Sequence, residues 1–125
     1  MSLYNQLEEK PDFCLSKDTF VFDKALLMGQ GITTDGETYF FSSKTTLIRT
    51  ETDAKTLVNA NYFAIPDELK ELGIAHIGGL SYYNGKIYAG LEDSKVWDYP
   101  IVGVYDAETL DFVDYYILEC ETVTR

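Results

Sequence analysis

The sequence predicts an all-β chain: two consecutive four-stranded antiparallel sheets, one outer strand leading into the first, and one short connecting helix. Three observations carry this. Three blocks of residues recur in the same order at an interval of roughly 50 residues. Each copy holds short runs of β-branched and aromatic residues punctuated by Asp-Gly or Asn-Gly. Finally, 125 residues with 46% hydrophobic and 14% aromatic content are ample for one packed core.

The elements follow in order. Thr19-Phe20-Val21-Phe22 reads as the leading outer strand. Ile32 to Thr34 and Thr38 to Ser42 flank Asp35-Gly36, and Asp-Gly supplies the positive φ of a tight hairpin turn. Thr45 to Thr50 is the third strand. Asp53-Ala54-Lys55-Thr56-Leu57 is then a turn in which the Asp side chain accepts from backbone NH groups ahead of it. Leu57 to Ala60 is the fourth strand. Pro66 to Gly73 is a short helix over Asp67–Leu72, with Pro at its start, acids before Lys70 and Gly73 as its stop. The second copy runs Leu80 to Tyr83, a turn at Asn84-Gly85, and Lys86 to Leu91. An insert from Glu92 to Tyr99 follows, then Ile101 to Tyr105, the turn Asp106-Ala107-Glu108-Thr109-Leu110, and Phe112 to Leu118.

The two copies align in blocks. Gln30-Gly31-Ile32-Thr33 matches Gly78-Gly79-Leu80-Ser81, Asp35 to Tyr39 matches Asn84 to Tyr88, and Asp53 to Leu57 matches Asp106 to Leu110. Four antiparallel strands per repeat of this length make the blade of a β-propeller. The 125 residues then form a single partial propeller unit. Residues 18–60 hold the leading strand and blade one, 61–76 the connection with its helix, and 77–118 blade two.

Gln30 to Gly36, His76 to Tyr88 and Val102 to Leu110 resemble propeller blades. The similar families include uncharacterised bacterial propeller proteins and, more distantly, the glutaminyl cyclotransferase and gluconolactonase-like groups. The resemblance extends over about residues 18–118 and implies the fold far more specifically than any activity. A closed propeller needs at least about four blades. The implied partners are therefore further blades or other copies of the chain, with flat faces open to water until they are covered. The leading strand would complete a neighbour's last blade. The gluconolactonase-like version implies a divalent metal held by acids and an Asn, a set that this chain does not carry in full. The glutaminyl cyclotransferase version is similar in Gln30-Gly31-Ile32.

Charge narrows the partners. Ten Lys+Arg against 21 Asp+Glu leave a net charge of −11, a field that disfavours nucleic acid and anionic membrane surfaces. No apolar run approaches the roughly 20 residues of a membrane span. Cys14, Cys120 and the single His76 are fewer than the four ligands of a structural zinc site, and two free buried thiols are expected. Met1-Ser2-Leu3 opens no signal-peptide pattern, and localisation stays open.

Candidate ligand-binding residues come from position. Gln30 and His76 stand just before the two inner strands, and Glu92 and Asp93 begin the insert after the second strand of blade two. All are expected at one mouth of the channel. His76 with Glu92 would make an acid–base or metal pair. The other reading has His76 bonding a loop carbonyl and Glu92 solvated. Trp97, in the same insert, is either an anchor for a sugar or peptide or a lid on the core. Glu92, Asp93 and Asp98 are a weak calcium signal without regular acid-x-acid spacing, and no other cofactor is expected. No phosphate-cradling Gly loop, nucleophile elbow or Ser-His-Asp context occurs. The sequence therefore reads as a binding or scaffold module with a small-molecule or peptide ligand. The alternative is a propeller-type enzyme, lactonase-like or glutaminyl cyclotransferase-like, with its site at the channel mouth.

Overall fold

The computed structural model describes residues 27–93 and 101–118. The leading strand expected at Thr19–Phe22, both cysteines, and Trp97 and Asp98 of the insert lie outside the described residues.

The chain forms two four-stranded antiparallel sheets. The first is ordered β1(Gly31–Thr34), β2(Tyr39–Ser42), β3(Leu47–Thr50), β4(Leu57–Asn61), and the second β5(Ile74–Tyr83), β6(Lys86–Asp93), β7(Ile101–Asp106), β8(Phe112–Ile117). One short helix, α1(Asp67–Lys70), joins them. Each sheet is a meander, so every strand pairs with its neighbour in sequence and the turns set the register.

The turns show how. Asn84 (φ 49°) and Gly85 (φ 81°) both take the left-handed conformation, as a two-residue hairpin turn requires. Asp35-Gly36 behaves differently. Thr34 pairs with Tyr39, which leaves a four-residue loop instead of the expected tight turn. Asp35 Oδ1 accepts from the NH groups of Glu37 and Thr38 at 2.8 and 2.7 Å, and only Gly36 has positive φ (93°). The carboxylate organises this loop from its first residue, so no second left-handed residue is needed.

Alternation on the strands builds the core. Phe40 and Leu47 of the first sheet meet Ile77, Ile87, Ala89, Leu91, Ile101 and Tyr105 of the second, and Ala64, Ile65 and Leu69 of the connection close the side. Phe41 and Ile48 point the other way and form a second cluster with Ala54, against which Leu27, Met28, Tyr39 and Ala60 pack. Open flat faces are expected from the sequence, but the centre of this outward face is closed: Ile48 and Thr50 are fully buried. Exposed apolar side chains lie on the outer strands and the connection, at Val58, Phe63, Val113, Tyr116 and Ile117, and on the first strands of the two sheets, at Ile32 and Tyr83.

The first strands of the two sheets lie side by side and run the same way. A Cβ on Gly31 would sit 2.8 Å from the Gly78 carbonyl oxygen and 3.1 Å from Gly79 Cα, while the Tyr82 NH donates to Thr33 Oγ1 at 3.2 Å. Only glycine permits that approach of backbone to backbone. Ser42 Oγ donates to the Gly78 carbonyl at 2.8 Å, and the Ile77 NH to the Lys44 carbonyl at 2.9 Å. At the outer edge Asn59 and Asn61 donate to the carbonyls of Glu108, Thr109 and Leu110. The sheets are thus tied at both their inner and outer margins.

The matched blocks are displaced in three dimensions. Thr50 pairs with Leu57 around the first β3–β4 loop, and Tyr105 with Phe112 around the equivalent β7–β8 loop. Asp53 is therefore the third residue after the last β3–β4 pair, whereas Asp106, which ends β7, is the first after the last β7–β8 pair. Likewise Tyr39 pairs with Thr50 and Ile87 with Tyr105, so the structural counterpart of Tyr39 is Ile87, not Tyr88. Both loop aspartates nonetheless make the expected bonds, Asp53 Oδ1 to the NH groups of Lys55 and Thr56, and Asp106 Oδ1 to those of Glu108 and Thr109.

Candidate functional site

His76 and Glu92 meet. β5 begins earlier than the sequence indicates, and its first turn of pairing with β6 matches Ile74 to Asp93 and His76 to Glu92. His76, expected just before its strand, and Glu92 and Asp93, expected in a loop, are therefore strand residues. The extra pairing follows from Ile74 and Ile77, both buried in the core, which pull the start of β5 against Leu91. His76 Nδ1 lies 3.0 Å from Glu92 Oε2, with the side chains 31% and 38% exposed.

Strand alternation decides which carboxylate joins the imidazole. Leu91 faces the core, so Glu92 takes the outward face of the second sheet with His76, and Asp93 falls on the opposite face beside Gly73. A Cβ on Gly73 would come within 3.9 Å of the Asp93 Cβ. Asp93 therefore does not belong with the His76 pair, and it does not converge with Glu92 on a single cation. Among the described residues no group of three or more His, Cys, Asp or Glu side chains is placed to hold a metal ion.

Two shifts in the β5–β6 register, between Ile74 and His76 and between Ile77 and Leu80, shape the floor. Bulges of this kind re-aim side chains at strand ends. Gly78 lies within the second shift, and a Cβ there would stand 3.3 Å from Glu92 Oε1. The carboxylate thus lies over bare backbone, with one oxygen on the imidazole. That contact orients the ring and leaves Nε2 as its second polar atom.

Gln30 lies at the same end. It precedes β1, its NH donates to the Ser42 carbonyl at 3.0 Å, and the next residue, Gly31, presses on the Gly78 carbonyl. Its side chain is exposed and hydrogen-bonds to neither His76 nor Glu92. Trp97 lies outside the described residues.

The sequence reading overlooked one polar cluster. Asp35 accepts from Arg49 Nη2 at 3.2 Å and from Thr38 Oγ1, while Arg49 Nε donates to Thr38 Oγ1 at 2.9 Å and the guanidinium stands 5.4 Å from the Phe40 ring centroid. Partial burial pushes the Asp35 carboxyl up, but the NH groups of Glu37 and Thr38, the Thr38 hydroxyl and Arg49 together hold it below the usual range. The signal was available: Asp-x-x-Thr occurs at Asp35, Asp53 and Asp106. Asp35, Thr38 and Arg49 bond to one another across the β1–β2 loop and β3, so this cluster braces the loop.

No protein family matches this chain, and no curated protein is significantly similar to it.

Proposed function

We propose that this chain is a β-propeller-type binding or scaffold module, its two sheets acting as consecutive blades. The observation that carries the reading is the side-by-side, same-direction packing of β1 and β5 through Gly31 and Gly78. Later strands step outward in each sheet, which is how blades radiate from an axis. A closed ring requires further blades or copies, and the half-exposed Val113, Tyr116 and Ile117 on β8 supply apolar surface for that contact. Sedimentation velocity across a micromolar concentration series tests it. The expected result is a mass above that of the monomer, weakened by Tyr116→Lys. A single monomeric species throughout overturns the association.

The His76–Glu92 contact favours a second reading, a propeller-type enzyme, lactonase-like or glutaminyl cyclotransferase-like, with Gln30 at the rim of its site. The pair would act as general base or acid on a small acyl substrate. Assay of lactone hydrolysis and of N-terminal glutamine cyclisation, each with His76→Gln as control, tests this reading. Turnover lost in the variant supports it, and no turnover, or turnover equal in both proteins, rejects it.

A further inference from the structure

We propose that the groove between the β2–β3 turn and the start of β5 binds a small organic monoanion with an apolar body, such as a short-chain carboxylate. The groove has a volume of about 320 Å³ and is lined by Lys44, Thr45, Ile65, Lys70, Gly73, Ile74 and Ala75, within the roughly 300–1,000 Å³ span of ligand clefts. It is separate from the His76–Glu92 pair, and the proposal does not depend on the function proposed above.

The floor and the rim differ in chemistry. Ile65 and Ile74 are core residues with 2% exposure each, so the floor is apolar and fixed. Gly73 (φ 94°) ends the helical turn, and no side chain projects from it into the groove. The lining includes two lysines from distant parts of the chain, Lys44 on the β2–β3 turn and Lys70 at the end of α1. Both are exposed. Lys70 has only a loose contact with Asp67, 4.0 Å away on an almost fully exposed carboxylate. Lys44 pairs with no carboxylate among the described residues.

A chain of net charge −11 has carboxylates to spare for neutralising surface lysines. The charged residues that line the groove, Lys44 and Lys70, are both cationic, which matches a head with one negative charge and a hydrocarbon tail. Each further negative charge on a ligand meets the repulsion of a chain with net charge −11, which favours a monoanion over a dianion. The walls are held in place by backbone bonds: the Ala64 NH to the Thr45 carbonyl at 3.0 Å, the Ile77 NH to the Lys44 carbonyl at 2.9 Å, and the Gly73 NH to the Lys70 carbonyl at 2.9 Å. The shape exists before any ligand arrives, which limits the ordering cost of binding.

The test is an amide-resolved NMR titration of the full chain with hexanoate, hexan-1-ol and hexylammonium in parallel. Hexanoate is expected to shift the amides of Lys44, Thr45, Ile65, Lys70, Gly73 and Ala75 along one saturable curve. The double variant Lys44→Gln/Lys70→Gln should weaken it about tenfold, the worth of two solvent-exposed ion pairs, with its spectrum otherwise native. His76→Gln should leave the curve unchanged, which separates this site from the paired histidine. Three results would each overturn the proposal: equal shifts with hexan-1-ol, tighter binding of hexylammonium, or no saturation by hexanoate in the millimolar range.

Discussion

Removing one oxygen from Tyr105 should cost a substantial part of the fold's stability. The ring sits on β7 in the centre of the core and packs edge-on against Phe112, centroids 5.5 Å apart. Its hydroxyl donates to the Ala64 carbonyl at 2.7 Å, and both residues are fully buried. Ala64 in turn donates its NH to Thr45, so one phenol pins the connection between the sheets to both of them. Tyr105→Phe keeps the ring and deletes the donor. The Ala64 carbonyl is then buried without that partner, at a cost of about 1–3 kcal/mol. Against a typical domain stability of about 5–15 kcal/mol that is large, and it corresponds to a fall in Tm of roughly 4 °C per kcal/mol. Tyr105→Leu, which also removes ring volume, should lose about 3–5 kcal/mol. Urea unfolding followed by circular dichroism measures both, with the slope m unchanged if the native state is otherwise intact. Burial also pushes the Tyr105 phenol well above the ordinary tyrosine range. As pH rises past about 10 the unfolded chain's phenol ionises while the folded one stays protonated, so this group's contribution is present below that pH and declines above it. The difference between wild type and Tyr105→Phe should therefore narrow in alkali. A Tyr105→Phe loss below about 0.5 kcal/mol would refute the reasoning, because the carbonyl would then have found another partner at no cost.

Three further outcomes are expected. Gly31→Ala places a methyl 2.8 Å from the Gly78 oxygen and 3.0 Å from Ser42 Oγ; since backbone must move, it should destabilise by about 1–3 kcal/mol, whereas Gly79→Ala, which meets nothing within 4 Å, should cost less in the same urea melts. Hydrogen bonds from the Thr56 hydroxyl and NH and from the Lys55 NH lower the Asp53 carboxyl from 3.8 to about 2, so its contribution is complete above about pH 4 and lost as pH falls toward 2; urea midpoints of wild type and Asp53→Ala should converge over that interval, and a gap that persists below it would contradict the assignment. Asn59→Ala/Asn61→Ala removes the bonds to the carbonyls of Glu108, Thr109 and Leu110 and should speed amide exchange in the β7–β8 loop while leaving the β5–β6 hairpin protected.

The sequence by itself determined the two sheets of four strands, their order and antiparallel pairing, and the place of the helix. Each of these depends on local chemistry: Asn84-Gly85 reaches positive φ cheaply, Gly73 stops a helix, and alternation marks each strand. The Asx turns at Asp53 and Asp106 were legible for the same reason. The tertiary structure decided everything that depends on register. The matched pentapeptides occupy different places in their loops because a carboxylate can organise a loop from more than one of its positions. β5 reaches back to Ile74 because burial of Ile74 and Ile77 against Leu91 extends the pairing, and that extension carries His76 into a strand opposite Glu92. The same pleat sends Asp93 to the other face, although it is the next residue in the chain. Nor could the sequence show that Lys44 and Lys70 share a groove, or that Tyr105 reaches Ala64. Those contacts join residues far apart in the chain, and their geometry follows from two sheets meeting where Gly31 lets the backbones touch.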